Sequence, residues 1–417
     1  MTNKINKGEI YVGIKGESFN GNIFYKDAID KGAKICILDN DTEIDDKYKK
    51  EDSTIILVDN TVTCLQKLAK YKRDLYNIPV VAVTGSVGKT SVKDIIASVL
   101  SSKYNVLSTK GNFNNEIGLP LTILELNDSH EILVVEMGMN HFGEMHLLSN
   151  IANPTISVIT NIGTAHIGNL GSRENILKAK LEILSGMVNG YLVINNDNDM
   201  LRTVKYDNLI TIGIDNESDY MATNICEDVF SNSFLVNNKQ VELSIGSHAF
   251  IYNTLFVFAT CEKLGMNFDE INAAINNFKL SPHRLEVIKK DNFTIIDDTY
   301  NASFDSVKNS LELMKKITNR KVFIFADILE LDSFGESIHK DIGRIVLDNN
   351  IDVLITVGDL SKYTYDVCLN NIESYHYDNN QELIDKIDKI VKNGDTILIK
   401  GSHGMKLIEI VDYLKII

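Results

Sequence analysis

The chain has five cysteines (Cys36, Cys64, Cys226, Cys261 and Cys368) but no Cys-x-x-Cys pair among them. Their scatter speaks against a disulfide framework or a metal knuckle, and reads as reduced thiols in a cytoplasmic protein. No apolar run reaches the ~20 residues of a membrane-spanning helix. Residues 1–8 (Met-Thr-Asn-Lys-Ile-Asn-Lys-Gly) lack an apolar h-region, so no secretory leader is expected. Basic residues are in deficit: 42 Lys and Arg against 57 Asp and Glu, a formal net charge of −15. Nucleic acid and anionic membrane surfaces are therefore not expected partners. There is no internal repeat and no low-complexity segment. What remains is a 417-residue chain of ordinary apolar content, long enough for two to four domains with sizeable cores.

Residues 80–91 read Val-Val-Ala-Val-Thr-Gly-Ser-Val-Gly-Lys-Thr-Ser. This is an apolar strand, a glycine turn and the opening of a helix, the layout of a phosphate cradle. Glycines at 85 and 88 allow the backbone N–H groups of 85–89 to approach phosphate oxygens. A helix over about 90–100 would aim its free N–H groups and positive dipole end at the same point. Lys89 is expected at the β/γ-phosphates, and the Thr90 hydroxyl on Mg²⁺. Thr84, Gly85, Ser86, Gly88 and Ser91 complete the candidate nucleotide loop. The commonest spacing puts a glycine five residues before Gly88. Here Val83 stands there and Gly85 takes over, so the loop is a variant form. A net negative chain can still bind a nucleotide, because the cradle is local.

Strand and helix patterns alternate throughout, which predicts an α/β protein with mostly parallel sheets. A first unit covers 1–76, with strands at 9–14 and 33–38, a helix at 25–31 and another at 61–75. A second unit covers 77–280, with strands at 80–84, 132–136, 156–161, 191–195 and 209–213. These are apolar runs suited to burial on both faces. A third unit covers 281–417, with strands at 293–297, 321–325, 353–357 and 396–400 and a closing helix at 405–414. Ligands in such sheets gather at the carboxyl ends of strands, where Thr84, Glu136 and Asn161 stand. Glu136 ends a strand as a Mg²⁺-holding carboxylate would. His166 follows the strand at 156–161, and Lys178 and Lys180 lie in a helical run. On chemistry alone His166 reads more readily as structural than as a ligand, and the two lysines as a solvated face.

Several blocks taken together resemble the Mur ligase family, in particular its D-alanyl-D-alanine-adding branch. They are TGSVGKTS (84–91), GNFNNEIGLPLTIL (111–124), EMGMNHFGEM (136–145) and TNIGTAHIGNLGSRENILKAKLEI (160–183). They continue with HRLE (283–286), DDTYNASFDSV (297–307), ADILELDSFGESIH (326–339) and IKGSHGM (399–405). The match runs along nearly the whole chain, in order. The resemblance implies three domains: a small N-terminal α/β domain, a central P-loop domain with a mostly parallel sheet, and a C-terminal doubly wound α/β domain. It implies ATP-dependent joining of a carboxylate to an amine through an acyl phosphate, in peptidoglycan precursor synthesis, with Mg²⁺.

By the same resemblance Lys89 and Thr90 bind phosphate and Mg²⁺, and Glu136 and His166 are Mg²⁺ ligands. Lys180 matches a lysine that takes up CO₂ as a carbamate and so becomes an anionic ligand. Asn253 lies where adenine is met, and Arg284 reaches the nucleotide phosphates from the third domain. Asp298 and Tyr300 face ribose and adenine, with Asp297 open to a structural reading. Asn114 and Asn115 lie where a UDP-linked muramoyl peptide docks. Lys400, Gly401 and Ser402 belong to the region for the amino substrate, the D-Ala-D-Ala dipeptide. A cytoplasmic monomer is expected.

Some positions depart from the family pattern. Residues 1–3 stand where relatives carry an Asp-Ser-Arg-type block, so a truncated N-terminal domain is expected. Asn20 and Asn22 replace Asp and His, Ser303-Phe304 replaces Asn-Pro, Ala326 replaces Gly, and His403 replaces Arg. These departures cluster near both substrates. Two other readings stay open: a Mur-like ligase with another acid or amine, and a nucleotide-binding regulatory protein without turnover.

Overall fold

Strands form in this chain mainly where short apolar runs, rich in Val, Ile and Leu, are covered on both faces. The computed structural model describes residues 5–16, 19–49, 53–278 and 282–417. They build three sheets. The first holds β1 (Ile10–Val12), β2 (Ile35–Asp39) and β3 (Thr54–Val58), all parallel, in the order 1-2-3. The helix Tyr25–Asp30 covers one face, and Tyr25, Ala28, Cys36, Leu38 and Tyr48 form its core. Both expected strands are present but shorter. β3 was not expected; it is an edge strand with Ile56 and Leu57 exposed. Residues 1–3 and the pair Glu17-Ser18 lie outside the described residues.

The central sheet has nine strands: β4 (Val80–Thr84), β5 (Val106–Ser108), β6 (Ile132–Glu136), β7 (Ile156–Ile159), β8 (Tyr191–Asn195), β9 (Leu209–Gly213), β10 (Tyr220–Glu227), β11 (Asn232–Val236) and β12 (Lys239–Leu243). Their order is 12-11-10-9-8-7-4-6-5. All neighbours are parallel except the last two pairings, β10 with β11 and β11 with β12. The helices Lys89–Ser101 and His248–Lys263 pack on one face. Gly118–Leu124, Glu144–Ala152 and Arg173–Leu181 pack on the other. β4 is wholly buried, with β6 and β7 on either side. The chain leaves β4 at the point where strand order reverses, which opens a crevice at its carboxyl end.

The third sheet holds β13 (Glu286–Lys289), β14 (Thr294–Asp298), β15 (Lys321–Ala326), β16 (Val353–Val357), β17 (Glu373–Tyr377) and β18 (Thr396–Lys400), in the order 13-14-18-15-16-17. Only β13 is antiparallel. Apolar clusters lie on both faces, the doubly wound arrangement expected. The closing helix is Ile408–Ile416.

The three sheets are built from three successive stretches of the chain, 10–58, 80–243 and 286–400. The helix Thr61–Asp74 ties the first to the second. Thr61 hydrogen-bonds Gly13 O and Asp39 at one end (2.8 Å each), while Arg73 Nε donates to Ala152 O (2.8 Å) at the other. The expected join near 280 lies outside the described residues. Among the described residues no helix is long and apolar enough to cross a membrane.

Candidate active site

At the carboxyl end of β4 the chain turns through Gly85 and Gly88 into the helix Lys89–Ser101. A side chain on Gly85 would begin 1.9 Å from the Thr160 hydroxyl, so only glycine fits there. Gly88, the N-cap, has φ +85° and no side-chain cap. The first turn of a 13-residue helix is thus left with uncapped N–H groups. Lys89 folds back so that its ammonium donates to Gly85 O at 2.9 Å. Burial lowers its pKa, the Glu136 carboxylate opposes that shift, and the Arg284 charge adds to it.

One expectation for this loop needs correcting. The N–H groups of Ser86 and Val87 do not face a ligand; both donate to the Asn161 side-chain oxygen (3.1 and 2.8 Å). The Ser86 hydroxyl accepts from Gly163 N at 2.9 Å. The free donors of the cradle are therefore those at the helix start, from Gly88 onward. Asn161 holds the loop in shape from the end of the neighbouring strand. Its position at a strand end was visible in the sequence, but its hydrogen bonds were not.

Glu136 ends β6 and is buried. One oxygen accepts from Asn114 Nδ2 at 2.7 Å, and the other has no hydrogen bond. Asn114 thus orients the carboxylate. Asn115, expected beside it at a peptide substrate, caps the next helix instead, accepting from Gly118 N at 2.9 Å. His166 sits after β7 with φ 65°. Burial, then the charges of Lys89 and Lys180, lower its pKa to about 4. The ring is neutral at ordinary pH, and Nδ1 has no hydrogen bond. His141 and Glu144, both in the 136–145 block, lie near enough to be felt by it. Lys180, on the helix Arg173–Leu181, is 1 % exposed. Burial and the Lys89 charge push its pKa well below the usual lysine range. The solvated-face reading of Lys180 is overturned: this lysine points into the protein.

The third domain closes the crevice. The Arg284 guanidinium lies 3.8 Å from the centre of the Tyr300 ring, and its Nε has no hydrogen bond. Asp305 accepts from Thr164 N at 3.2 Å, and would stand 2.1 Å from any Cβ added at Gly163. Glu330 comes within 3.6 Å of His166 Nδ1. Asn253, buried on the helix His248–Lys263, lies with its side-chain oxygen 3.6 Å from a Cβ built on Gly88. Asp298 and Lys400, expected at nucleotide and amino substrate respectively, pair with each other at 2.5 Å. Lys400 also donates to Asn301 O, and Ser402 Oγ accepts from Leu329 N at 2.9 Å. Lys400 is 2 % exposed, so the structure brings it to the site as a brace and not as a free cation.

The buried atoms left without a hydrogen bond here are Thr84 Oγ1, Glu136 Oε2, His166 Nδ1 and Arg284 Nε. Orphaned buried polar atoms are uncommon and call for a ligand or ion. An uncapped helix start, two lysines and an arginine meet a carboxylate and a neutral imidazole. A phosphate chain carrying a divalent cation satisfies that set: cations and N–H groups for the phosphates, oxygen and nitrogen lone pairs for the metal.

Comparison with known proteins agrees with this geometry. Residues 83–261 match the Mur ligase middle domain, and residues 283–403 match the Mur ligase glutamate ligase domain. The chain is 36% identical over 420 residues to the UDP-N-acetylmuramoyl-tripeptide–D-alanyl-D-alanine ligase of Bacillus subtilis, covering 98% of this chain and 91% of that one. It is 30% identical to the Escherichia coli enzyme of the same name, over 99% and 92%. Its structure resembles MurF from Acinetobacter baumannii (TM-score 0.91, 26% identity, 100% and 92% covered). It also resembles the Thermotoga maritima MurF ligase in complex with ADP (TM-score 0.88, 27% identity, 100% and 96% covered). In sequence and in fold, the chain belongs to the Mur ligase family.

Proposed function

We propose that the chain joins D-alanyl-D-alanine to UDP-N-acetylmuramoyl-tripeptide at the expense of ATP, a step of peptidoglycan precursor synthesis. The observation that carries this reading is the convergence of Lys89, Glu136, His166, Lys180 and Arg284 on the β4 crevice, in a chain so similar to ligases of that name. A carboxylate oxygen of the tripeptide attacks the γ-phosphorus of ATP. The β,γ P–O bond breaks, and ADP leaves with its electron pair. The dipeptide amine then attacks the acyl carbon, the C–O bond to phosphate breaks, and the amine sheds a proton. Lys89, Arg284 and the helix start neutralise the charge spread over the phosphoryl oxygens. Thr90, Glu136 and His166 would hold Mg²⁺, which supplies Lewis-acid charge when bound. Asn253 and Tyr300 bound the adenine and ribose side. Use of ATP and of a nucleotide-linked substrate supports a cytoplasmic location.

Burial and the Lys89 charge push the Lys180 pKa down, toward the neutral amine that carbamate formation needs. Such an amine adds to CO₂, giving a carbamate and a proton, and an anion then stands beside the metal ligands. A carbamate carbon resonance is expected after equilibration with ¹³C-bicarbonate and should vanish in Lys180→Ala; an unchanged spectrum would remove the modification from the scheme.

The test of the function is phosphate release by the purified protein with muramoyl tripeptide, with and without D-Ala-D-Ala. Turnover requiring both is expected. Turnover only with other acids or amines would reassign the substrates, and none with any would leave a nucleotide-binding protein. Lys89→Ala and Glu136→Ala should each abolish ADP formation in a folded protein.

A further inference from the structure

Arg284 sits between two residues in an unusual backbone state. His283 has φ 64° and Leu285 φ 51°, and neither is glycine. Non-glycine residues hold the left-handed region only where their surroundings enforce it, and such strain gathers at functional sites. The enforcing contacts centre on His283. Its Nδ1 lies 2.7 Å from Asp297 Oδ2, and its N–H donates to Glu286 Oε2 at 3.1 Å. Its carbonyl accepts from Tyr300 N at 3.1 Å. A carboxylate only accepts, so Nδ1 carries the proton. Asp297 is fully buried, and its second oxygen takes the N–H and hydroxyl of Thr299 (3.1 and 2.7 Å). The imidazole thus ties the linker to β14, one turn before the Tyr300 ring on which Arg284 stacks.

The donors of His283, Glu286 and Asp297 lie within 4.8 Å of one another, close enough to hold a cation. Each already has a protein partner, however, and no buried side-chain atom of the three lacks a hydrogen bond. The cluster is a brace. We propose that His283 is a positioning residue: its hydrogen bond to buried Asp297 fixes the doubly bent linker so that Arg284 is presented to the phosphate loop. The inference rests on the reading that Arg284 meets nucleotide phosphates. The charge of Arg284 is already felt by Lys89 across the crevice, which supports it.

The experiment uses the full-length protein and the non-hydrolysable analogue adenosine 5′-(β,γ-imido)triphosphate, measured by calorimetry. His283→Gly keeps the left-handed backbone available and removes the hydrogen bond. His283→Asn keeps a donor on a residue that tolerates positive φ. His283→Gly should weaken analogue binding roughly tenfold, and Arg284→Ala by a similar factor. The double variant should be no weaker than Arg284→Ala alone, because both act through one contact. His283→Asn should recover most of the affinity at unchanged melting temperature. Additive losses, or no recovery with asparagine, would overturn the proposal. So would stoichiometric Zn²⁺ binding abolished by His283→Gly, since the cluster would then be a metal site. Binding needs no turnover: a wild type that binds the analogue yet ligates nothing sinks the ligase reading alone. A wild type that does not bind the analogue sinks both.

Discussion

Lys89, Lys180 and Arg284 bring three basic groups into one crevice; burial first, and then their repulsion, lowers the pKa of Lys89 and Lys180. His166 records the same field. Its imidazole is held near pKa 4, against 6.5 for the free side chain, by burial first and then by Lys89 and Lys180. Between those values the unfolded chain takes up a proton that the folded chain refuses. Stability therefore falls as pH drops through this window, and His166 adds no pH dependence above it. Relative to His166→Gln, the wild type should lose up to about 3 kcal/mol more between pH 6.5 and 4. Urea midpoints for both proteins across that range are the check, and parallel curves would show that the ring titrates normally.

The strand–loop–helix element 80–101 explains why its glycines stand at 85 and 88. Gly85→Ala drives a methyl into the Thr160 hydroxyl, which itself donates to Val87 O, so the loop and its neighbour must both shift. Gly88→Ala meets only an ordinary contact 3.6 Å from Asn253 and pays for positive φ. Gly85→Ala should cost on the order of 2–4 kcal/mol and Gly88→Ala about 1, read from denaturant midpoints. Equal costs would mean the loop relaxes freely. The central strands of this kind were legible in the sequence, because burial on both faces leaves an uninterrupted apolar run; 132–136, 191–195 and 209–213 coincide with observed strands. The edges were not. β10 changes register between Thr223 and Cys226, with Asn224 at φ 50°, which breaks the alternation that would mark it. β13 and β17 are partly solvated edge strands with mixed residues. The site divides the same way. Lys89 could be placed from its glycine turn and Glu136 from its strand end, whereas the grip of Asn161 on Ser86, 75 positions away, is made only in three dimensions.

Across the whole molecule, the third domain rests on the second through polar contacts and a little apolar packing, Val229 against the third domain's core and Leu285 against the second's. Lys316 donates to Glu227, which also pairs with His248, and to Gly246 O at 3.4 Å. Asp305 takes Thr164, and Glu330 approaches His166. Partly solvated pairs of this kind contribute about 1 kcal/mol or less each. Docking is therefore easily shifted by a ligand that bridges the domains. Lys316→Met should shift the docked-to-undocked ratio by roughly fivefold. It should raise the radius of gyration in solution scattering without nucleotide, and leave it unchanged once nucleotide is bound. A radius insensitive to the substitution would place the docking energy elsewhere.

The absence of a side chain at Gly163 has a consequence for how the two domains meet. A single methyl there would begin 2.1 Å from an Asp305 carboxylate oxygen, so that carboxylate would have to swing aside and let go of Thr164 N. The loop that bears His166 is thus also the sill on which the last domain comes to rest, so the seating of that domain bears directly on the residue beside the phosphates.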